Sequence, residues 1–286
     1  MTVTRVLPFR QLSHLLPVRM AGLSLAFLKA TALELAILAG HILLYPSGMA
    51  QERRPQLPPA SGDDTPRLPG EDRPPVLLLH GFIDNRSVFV LLRRFLTQHG
   101  RQHVESLNYS PLTCDIRTAA ELLGRHVEEI CRRTGHHEVD IVGHSLGGLI
   151  ARHYVQLQGG DARVRTLVTL GTPHAGTRVV PLADAHPIVR QMRPESPVIK
   201  ELRAPAPGCR THFVSFWSDL DAWMDPIETA CVDHPDLRVQ NVRVTGIGHL
   251  ALPVHPAVAA GIRQALDLAE PATTAATSAV GGMTVA

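Results

Sequence analysis

The sequence predicts an α/β fold, a mostly parallel sheet flanked by helices, standing behind one N-terminal hydrophobic helix. Three observations lead to that class. From residue 76 onward, short runs rich in Val, Ile and Leu alternate with longer runs of helical period, the mark of βαβ crossovers and hence of parallel strands. A strongly apolar stretch precedes them over residues 20–45, and a proline-rich segment separates the two. The chain of 286 residues is 44% hydrophobic and 19% charged, enough to bury the core of an α/β domain of about 200–250 residues. Lys+Arg 28 against Asp+Glu 26 leaves a formal +2, without the broad basic face that binding to nucleic acid requires. Cys114, Cys131, Cys209 and Cys231 form no CxxC pair, and His136 and His137 complete no zinc pattern, so no structural metal is expected. No internal repeat points to a solenoid or propeller.

The first 50 residues form the hydrophobic helix. As a helix, the 26 residues 20–45 would extend about 39 Å, long enough to cross a bilayer. Against crossing stand Lys29 and Glu34, each costing about 2.5–3.5 kcal/mol near a membrane centre, although Lys29 lies near one end and can snorkel. The uncharged part, residues 35–45, has only the length of a signal sequence. Arg5, Arg10 and Arg19 come before it, and Gly48-Met49-Ala50 reads as a small-x-small cleavage site. An anchor, a cleaved leader and an amphipathic helix thus all stay open. The positive flank orients the following domain outside the cytoplasm, membrane-anchored or exported.

Residues 51–75 hold seven prolines and several charges, so 51–74 is expected to be a linker. The domain proper is expected over 75–270. Within it, strands are predicted at 76–80, 103–109, 139–142, 163–170, 211–217 and 239–245, and helices at 87–99, 115–134, 146–158 and 255–269. The Ala/Thr/Gly-rich end, 271–286, is expected to be a flexible tail.

Gly143-His144-Ser145-Leu146-Gly147 sets a G-x-S-x-G pattern directly after an apolar strand and directly before a helical run. A strand that reverses into a helix within so few residues strains its central residue and brings backbones together, and the glycines make room for that. The turn would raise the Ser145 hydroxyl at the carboxyl edge of the sheet, near the positive end of the next helix.

With Leu79-His80-Gly81-Phe82 before it and Leu170-Gly171-Thr172-Pro173-His174-Ala175-Gly176-Thr177 after it, the GHSLGG segment resembles the bacterial lipases and esterases of the α/β-hydrolase superfamily over residues 75–268. That resemblance implies an acyl-serine mechanism with a triad in the order Ser, Asp or Glu, His, requiring no metal or organic cofactor. Ser145 is the expected nucleophile. It needs a neutral imidazole as base. Gly246-Ile247-Gly248-His249-Leu250-Ala251-Leu252-Pro253 lies between the last apolar strand and the last helix, and it resembles the lipase catalytic-histidine loop, so His249 is the expected base. His80 and His144 are expected to pack or hydrogen-bond beside the site. The base in turn needs a carboxylate on its Nδ1. Three aspartates compete in Ser218-Asp219-Leu220-Asp221-Ala222-Trp223-Met224-Asp225-Pro226, and by resemblance Asp221 fits best, with Asp219 as rival and Asp225 as a turn residue. The N–H groups of Leu146 and, by resemblance, Phe82 are expected to form the oxyanion hole.

Residues 177–202 are too broken by proline for a long helix and too apolar for an ordinary loop; a lid over an acyl chain and a packed connection are both consistent with them. Thr172 to Gly176 should shape the pocket wall. Phe82, Phe89, Trp217 and Trp223 are candidates for the site lining or for core. Cys209 and Cys231 bracket the acid-bearing strand and could pair in an oxidising compartment. The expected function is hydrolysis of carboxylic esters, with lipid acyl esters as substrate and membrane association through residues 20–45. A thioesterase, a phospholipase or an acyltransferase could use the same triad, and a catalytically silent, membrane-tethered binding module is the reading from a different class.

Overall fold

The computed structural model describes residues 16–49, 73–82, 84–109, 115–179 and 186–268, with the side chains of the first helix described over 28–48. The expectations for Arg5, Arg10, Cys114, the side chain of Arg19, most of the linker, the tail and the middle of the 177–202 segment lie outside those residues.

Six strands, β1 (Val76–Leu79), β2 (Val104–Leu107), β3 (Val139–His144), β4 (Val164–Leu170), β5 (His212–Ser218) and β6 (Arg238–Val244), form one sheet in the order β2-β1-β3-β4-β5-β6. Every pairing is parallel. A long helix, α1 (Leu16–Met49), precedes the sheet. The first four crossovers are α-helical, α2 (Val90–Gln98) behind a 3-10 turn, α3 (Ile116–Thr134), α4 (Leu146–Leu157), and the short α5 (Pro187–Gln191) and α6 (Pro197–Glu201); the one from β5 to β6 holds only a 3-10 turn at Ile227–Ala230, and α7 (Pro256–Leu268) closes the domain. Asp115 starts α3, its Oδ1 accepting the Thr118 N–H at 2.9 Å, which satisfies one of the unpaired amides of a first helical turn.

The four central strands, β1, β3, β4 and β5, read as mostly apolar runs because both faces of the sheet are covered there, whereas the edge strands β2 and β6 are only partly buried and carry polar residues. Leu77 and Leu79 point to one side, where Ile141, Leu167 and Phe213 meet α3 and α4; Val76 and Leu78 point to the other, where Val142, Val168 and Val214 meet α2 and α7. Each fully buried leucine of this kind contributes about 1.5–3 kcal/mol. The chain runs outward from β1 to β2 and then crosses back to β3, so the loops leaving the neighbouring strands β1 and β3 part company. A crevice opens at their carboxyl ends, where open α/β sheets take their ligands.

Of the 177–202 segment, the described part from 186 onward is a packed connection. Ile188, Val189, Val198, Ile199 and Leu202 are wholly buried in the core beside α3 and α4.

Within α1, Leu28–Gly48 is long and apolar enough to cross a membrane by length and composition, with a mean hydropathy of 1.4. It lies against the domain. The carbonyl of Tyr45 accepts a hydrogen bond from Asn85 Nδ2 at 2.9 Å, and that of Gly48 accepts from Asn108 Nδ2 at 2.6 Å and Arg86 Nε at 3.2 Å. Ala30, Glu34, Ile37 and His41 recur at helical spacing on the face turned inward, while Leu28, Leu35, Ile42 and Leu43 are exposed, Leu43 by 81%. An ordinary surface helix buries its apolar stripe and shows its polar one. Here the arrangement is reversed, with His41 buried and the leucines outside.

Candidate active site

At the end of β3 the backbone takes φ 52° and ψ −118° at Ser145, the one positive φ outside glycine among the described residues, and α4 starts at the next residue. Such a conformation costs about 1–3 kcal/mol and persists only where its surroundings impose it. They do so here. Ser145 N–H donates to Leu170 O at 2.9 Å, and the Ser145 carbonyl accepts from Gly148 N–H and Thr172 Oγ1, both at 3.0 Å. A Cβ at Gly143 would lie 2.6 Å from Gly148 N, and one at Gly147 would lie 2.7 Å from His80 O. The sharp bend therefore excludes any larger residue at both positions, as the sequence pattern implies.

Beside the elbow runs the loop that leaves β1. A Cβ at Gly81 would stand 3.5 Å from Ser145 Cβ, and Phe82, the next residue, lines the same cleft as the serine. His80 and Tyr109 brace this loop: their rings stack at 4.3 Å, Tyr109 Oη donates to His80 O, and His80 Nδ1 faces Gly81 O at 2.8 Å. Burial pushes the His80 imidazole below its ordinary value, which keeps it neutral in this bracing role. Leu146 is buried as the first residue of α4, where helix geometry leaves its N–H without an intrahelical partner.

Two loops bring in the remaining groups. After β5 the chain turns so that Asp221 Oδ1 accepts the Trp223 N–H at 2.9 Å, leaving Oδ2 for His249 Nδ1 at 2.8 Å. Ser218 Oγ donates to Ile247 O and ties this turn to the histidine loop. Asp219 points elsewhere: it holds Arg243 at 3.0 Å and the Gly246 N–H at 3.2 Å. Asp225 precedes Pro226 across a cis peptide bond. Burial alone would push His249 down, but the charge and hydrogen bond of Asp221, joined by the charges of Glu34 and Asp84, leave it raised above the ordinary imidazole value. His144 reaches the carbonyl of His249 through Nε2 at 3.3 Å, and burial holds its own ring below the ordinary value, that is, neutral.

Ser145 and His249 line one cleft of about 520 Å³, part of it open to solvent. Gly81, Phe82, Asp84 and His144 line it with them, and Pro173, Thr177, Val179, Met192, Trp223, Met224 and Leu250 make the rest of the lining mostly apolar. Phe82 and Trp223 are thus lining residues, whereas Phe89 is core and Trp217 lies under the Arg243 guanidinium at 5.5 Å. His174 stands behind the wall, its Nε2 2.9 Å from Thr169 Oγ1, and burial holds it well below the ordinary value. The pairing of Cys209 with Cys231 is not formed: both are free thiols, each half-buried near its own end of the β5 region.

Sequence reasoning missed two carboxylates at this site. Asp84 lines the cleft, 3.5 Å from His144 Nδ1 and 3.4 Å from His41 Nδ1 of α1. Burial resists its ionisation, yet these two imidazoles hold its carboxyl well below the usual range. Glu34, also from α1, accepts the N–H groups of Leu250 and Ala251, both at 2.9 Å, immediately after His249. Asp84 carries no signal in the spacing around it. Glu34 does carry one: a carboxylate within an apolar helix marks a group with a partner.

Solved structures share this architecture. The lipase B of Aspergillus fumigatus superposes with a TM-score of 0.60 at 17% identity, covering 68% of this chain and 52% of its own. The mature form of a Bacillus licheniformis lipase gives 0.58 at 16% identity, over 71% of this chain and 96% of its own. A Pyrobaculum calidifontis esterase gives 0.51 at 16% identity, over 71% and 76%. The chain spans about half the length of the Aspergillus enzyme. At these identities the likeness is one of fold, the α/β-hydrolase fold. The model of one family, palmitoyl protein thioesterase, matches residues 75–221, from the entrance to β1 through the aspartate that faces His249. That match takes in slightly more than half of the 286 residues, and the chain belongs to the palmitoyl protein thioesterase family of α/β-hydrolases.

Proposed function

We propose that this chain is a serine hydrolase that cleaves carboxylic esters of fatty acyl chains through an acyl-serine intermediate. The observation that carries the reading is the 2.8 Å contact of Asp221 with His249 Nδ1, in the cleft that also holds the strained Ser145. With Asp221 on Nδ1, the neutral imidazole presents Nε2 to the serine side. Ser145 Oγ adds to the acyl carbonyl as His249 takes its proton, and the carbonyl oxygen becomes an alkoxide. The N–H groups of Leu146 and Phe82 donate to that oxygen, and each donor of this kind is worth about 2.7–4 kcal/mol by mutational loss. His249 then returns the proton to the departing group, and water, deprotonated by the same imidazole, releases the acid from Ser145. The apolar wall of Met192, Val179, Trp223 and Met224 suits an acyl chain.

Membership of a thioesterase family favours a second reading within the same mechanism, in which the bond broken is an acyl thioester. A thiolate leaves with less help from His249 than an alkoxide does. Comparing p-nitrophenyl octanoate with an S-octanoyl cysteine peptide tests this: the thioesterase reading expects the larger kcat/KM on the peptide, and the reverse order returns the assignment to oxygen esters. A fluorophosphonate label tests the class. One adduct on Ser145, lost in Ser145→Ala, is expected, and a folded protein that takes up no label would favour the silent binding module instead.

The reversed polarity of α1 supports association with a membrane, with Leu28, Leu35, Ile42 and Leu43 among lipid. Residues 28–48 hold the domain through Glu34, His41 and two carbonyls, and a stretch so engaged is not free to cross the bilayer at the same time. We therefore place α1 along the membrane surface. Flotation with phosphatidylcholine vesicles, lost in Leu35→Ser/Leu43→Ser, is the expected outcome.

A further inference from the structure

The N-terminal helix brings one carboxylate into the machinery, and its placement is too specific for a helix that merely rests on the domain. Glu34 is held by two consecutive backbone amides, Leu250 N–H to Oε2 and Ala251 N–H to Oε1, so both carboxylate oxygens are engaged by the residues that follow His249. A charge-assisted pair of this kind fixes position as well as contributing energy. The residue before His249 records the same contact independently: a Cβ at Gly248 would lie 2.5 Å from Glu34 Cδ and 2.7 Å from Cγ. Gly248 leaves the room that the Glu34 side chain occupies, and any larger residue there would displace it. A second contact lies seven residues along, where His41 faces Asp84 in the cleft.

We propose that Glu34 is a positioning residue for His249, clamping the histidine loop from α1 so that the imidazole stays in line with Ser145, and that α1 is therefore part of the catalytic unit. This rests on the serine-hydrolase reading above. The clamp acts on the loop's backbone, and the Asp221 hydrogen bond acts on the ring; with both made, the ring has neither translation nor rotation left. The charged and titratable groups facing His249 are Asp221 from the β5 turn, His144 from the elbow, Asp84 from the β1 loop and Glu34 from α1, and of these only Glu34 and His144 touch the loop's backbone. Because the Glu34 charge favours the imidazolium, its removal also moves the titration of the base downward.

The experiment uses the full chain and the rate of fluorophosphonate labelling between pH 5 and pH 9. Glu34→Gln keeps the shape but turns an NH₂ toward one of the two amides. It is expected to lower the maximal labelling rate roughly 10- to 100-fold, as small misplacements of a reacting group do, with little change in half-saturation. The acid limb of the rate is expected to move to lower pH, and Glu34→Asp to recover part of the loss. Gly248→Ala, which pushes the carboxylate away, should cost as much as Glu34→Ala, and the double variant no more than either alone. Glu34→Gln labelling at the wild-type rate and with the wild-type pH profile would overturn the proposal and leave the triad standing. So would a loss confined to half-saturation or to folded yield with the acid limb unmoved, or additive losses in the double variant. Labelling that survives Ser145→Ala would remove the triad and this inference together.

Discussion

Asp140 and Asp221 are both carboxylates with no side-chain exposure, set at opposite ends of one sheet, and they are satisfied in opposite ways. Asp140, near the amino end of β3, faces the fork of Arg165, Nε on Oδ1 at 3.0 Å and Nη2 on Oδ2 at 2.6 Å, with Arg101 Nη1 3.6 Å away and itself held by Asp267. Arg165 also donates to Leu266 O, so the cluster pins the last turn of α7 to the sheet. Asp221, past the carboxyl end of β5, has one backbone amide and one imidazole. A guanidinium keeps its charge at any working pH, whereas an imidazole gives up its proton near neutrality. Burial with a permanent cation makes a structural post; burial with a titratable partner leaves a proton free to move. On the proposed mechanism, the two ends of the strands divide stability and chemistry between them.

Exchanging the carboxylate for an amide at each end sharpens that division. Asp221→Asn presents a donor or a weak acceptor to His249 Nδ1 and lets the wrong tautomer form, and ester turnover is expected to fall about 10⁴-fold with thermal stability little changed. Asp140→Asn leaves Arg101 and Arg165 facing a neutral amide in a dry site. Urea unfolding is expected to show a loss of about 3–5 kcal/mol, with turnover per folded molecule retained. A large kinetic effect at Asp140 without loss of stability, or the converse at Asp221, would dissolve the contrast.

The same contrast explains what the sequence made legible. The alternation of apolar runs located all six strands to within two residues at each end, most plainly in the central strands, which are covered on both faces and therefore mostly apolar. The bend at Ser145 was legible because only glycine fits on either side of it, and that constraint is local. Asp221 was separable from Asp219 only through the resemblance, since two aspartates two residues apart are equal in composition and differ in which way the turn aims them. Asp84 was not legible as a site residue, and Glu34 was legible only as a carboxylate in want of a partner, not as part of this site. Their partners lie 216 residues and 60 residues away along the chain, at the amides of Leu250 and at His144, and no spacing rule spans such a gap. The charge of Glu34 counted only as a burden on a membrane helix, although it is satisfied by protein.

The pH response tests the two partners in a different way. His249 is raised above its ordinary value of 6.5, and the base acts only when neutral, so the acid limb of kcat/KM is expected to have its midpoint above about 6.5. The stability contributed by the raised imidazole has the opposite sense: it is fully present below the ordinary value and is lost as pH climbs through the raised one. Turnover should therefore rise over the interval in which this contribution to unfolding free energy declines, a tenfold gain in proton affinity being worth about 1.4 kcal/mol. The arginines around Asp140 keep their charge through that interval, although burial pushes the Asp140 carboxyl itself upward against them, and Asp221→Asn should remove most of the His249 slope. A limb centred well below 6.5 in the wild type would mean that burial outweighs Asp221 at this histidine.

Asp219 supplies the smallest effect and the most discriminating one. It stands two residues from Asp221 and bears an arginine of its own, so it has the outward form of the Asp140 post, but Arg243 is 58% exposed and solvent screens the pair. Asp219→Asn should change stability by less than about 1 kcal/mol, since an amide oxygen can still accept the Gly246 N–H that the carboxylate now holds at 3.2 Å. Gly246 opens the loop that carries His249, which makes this the one route by which Asp219 could reach the chemistry. The isosteric amide preserves that route while removing the charge. Turnover is accordingly expected to stay within about 3-fold of wild type, far above that of Asp221→Asn. If Asp219→Asn were the more damaging of the two, the orienting carboxylate would have to be the solvent-facing one, and burial would no longer distinguish the acid that works from the acid that does not.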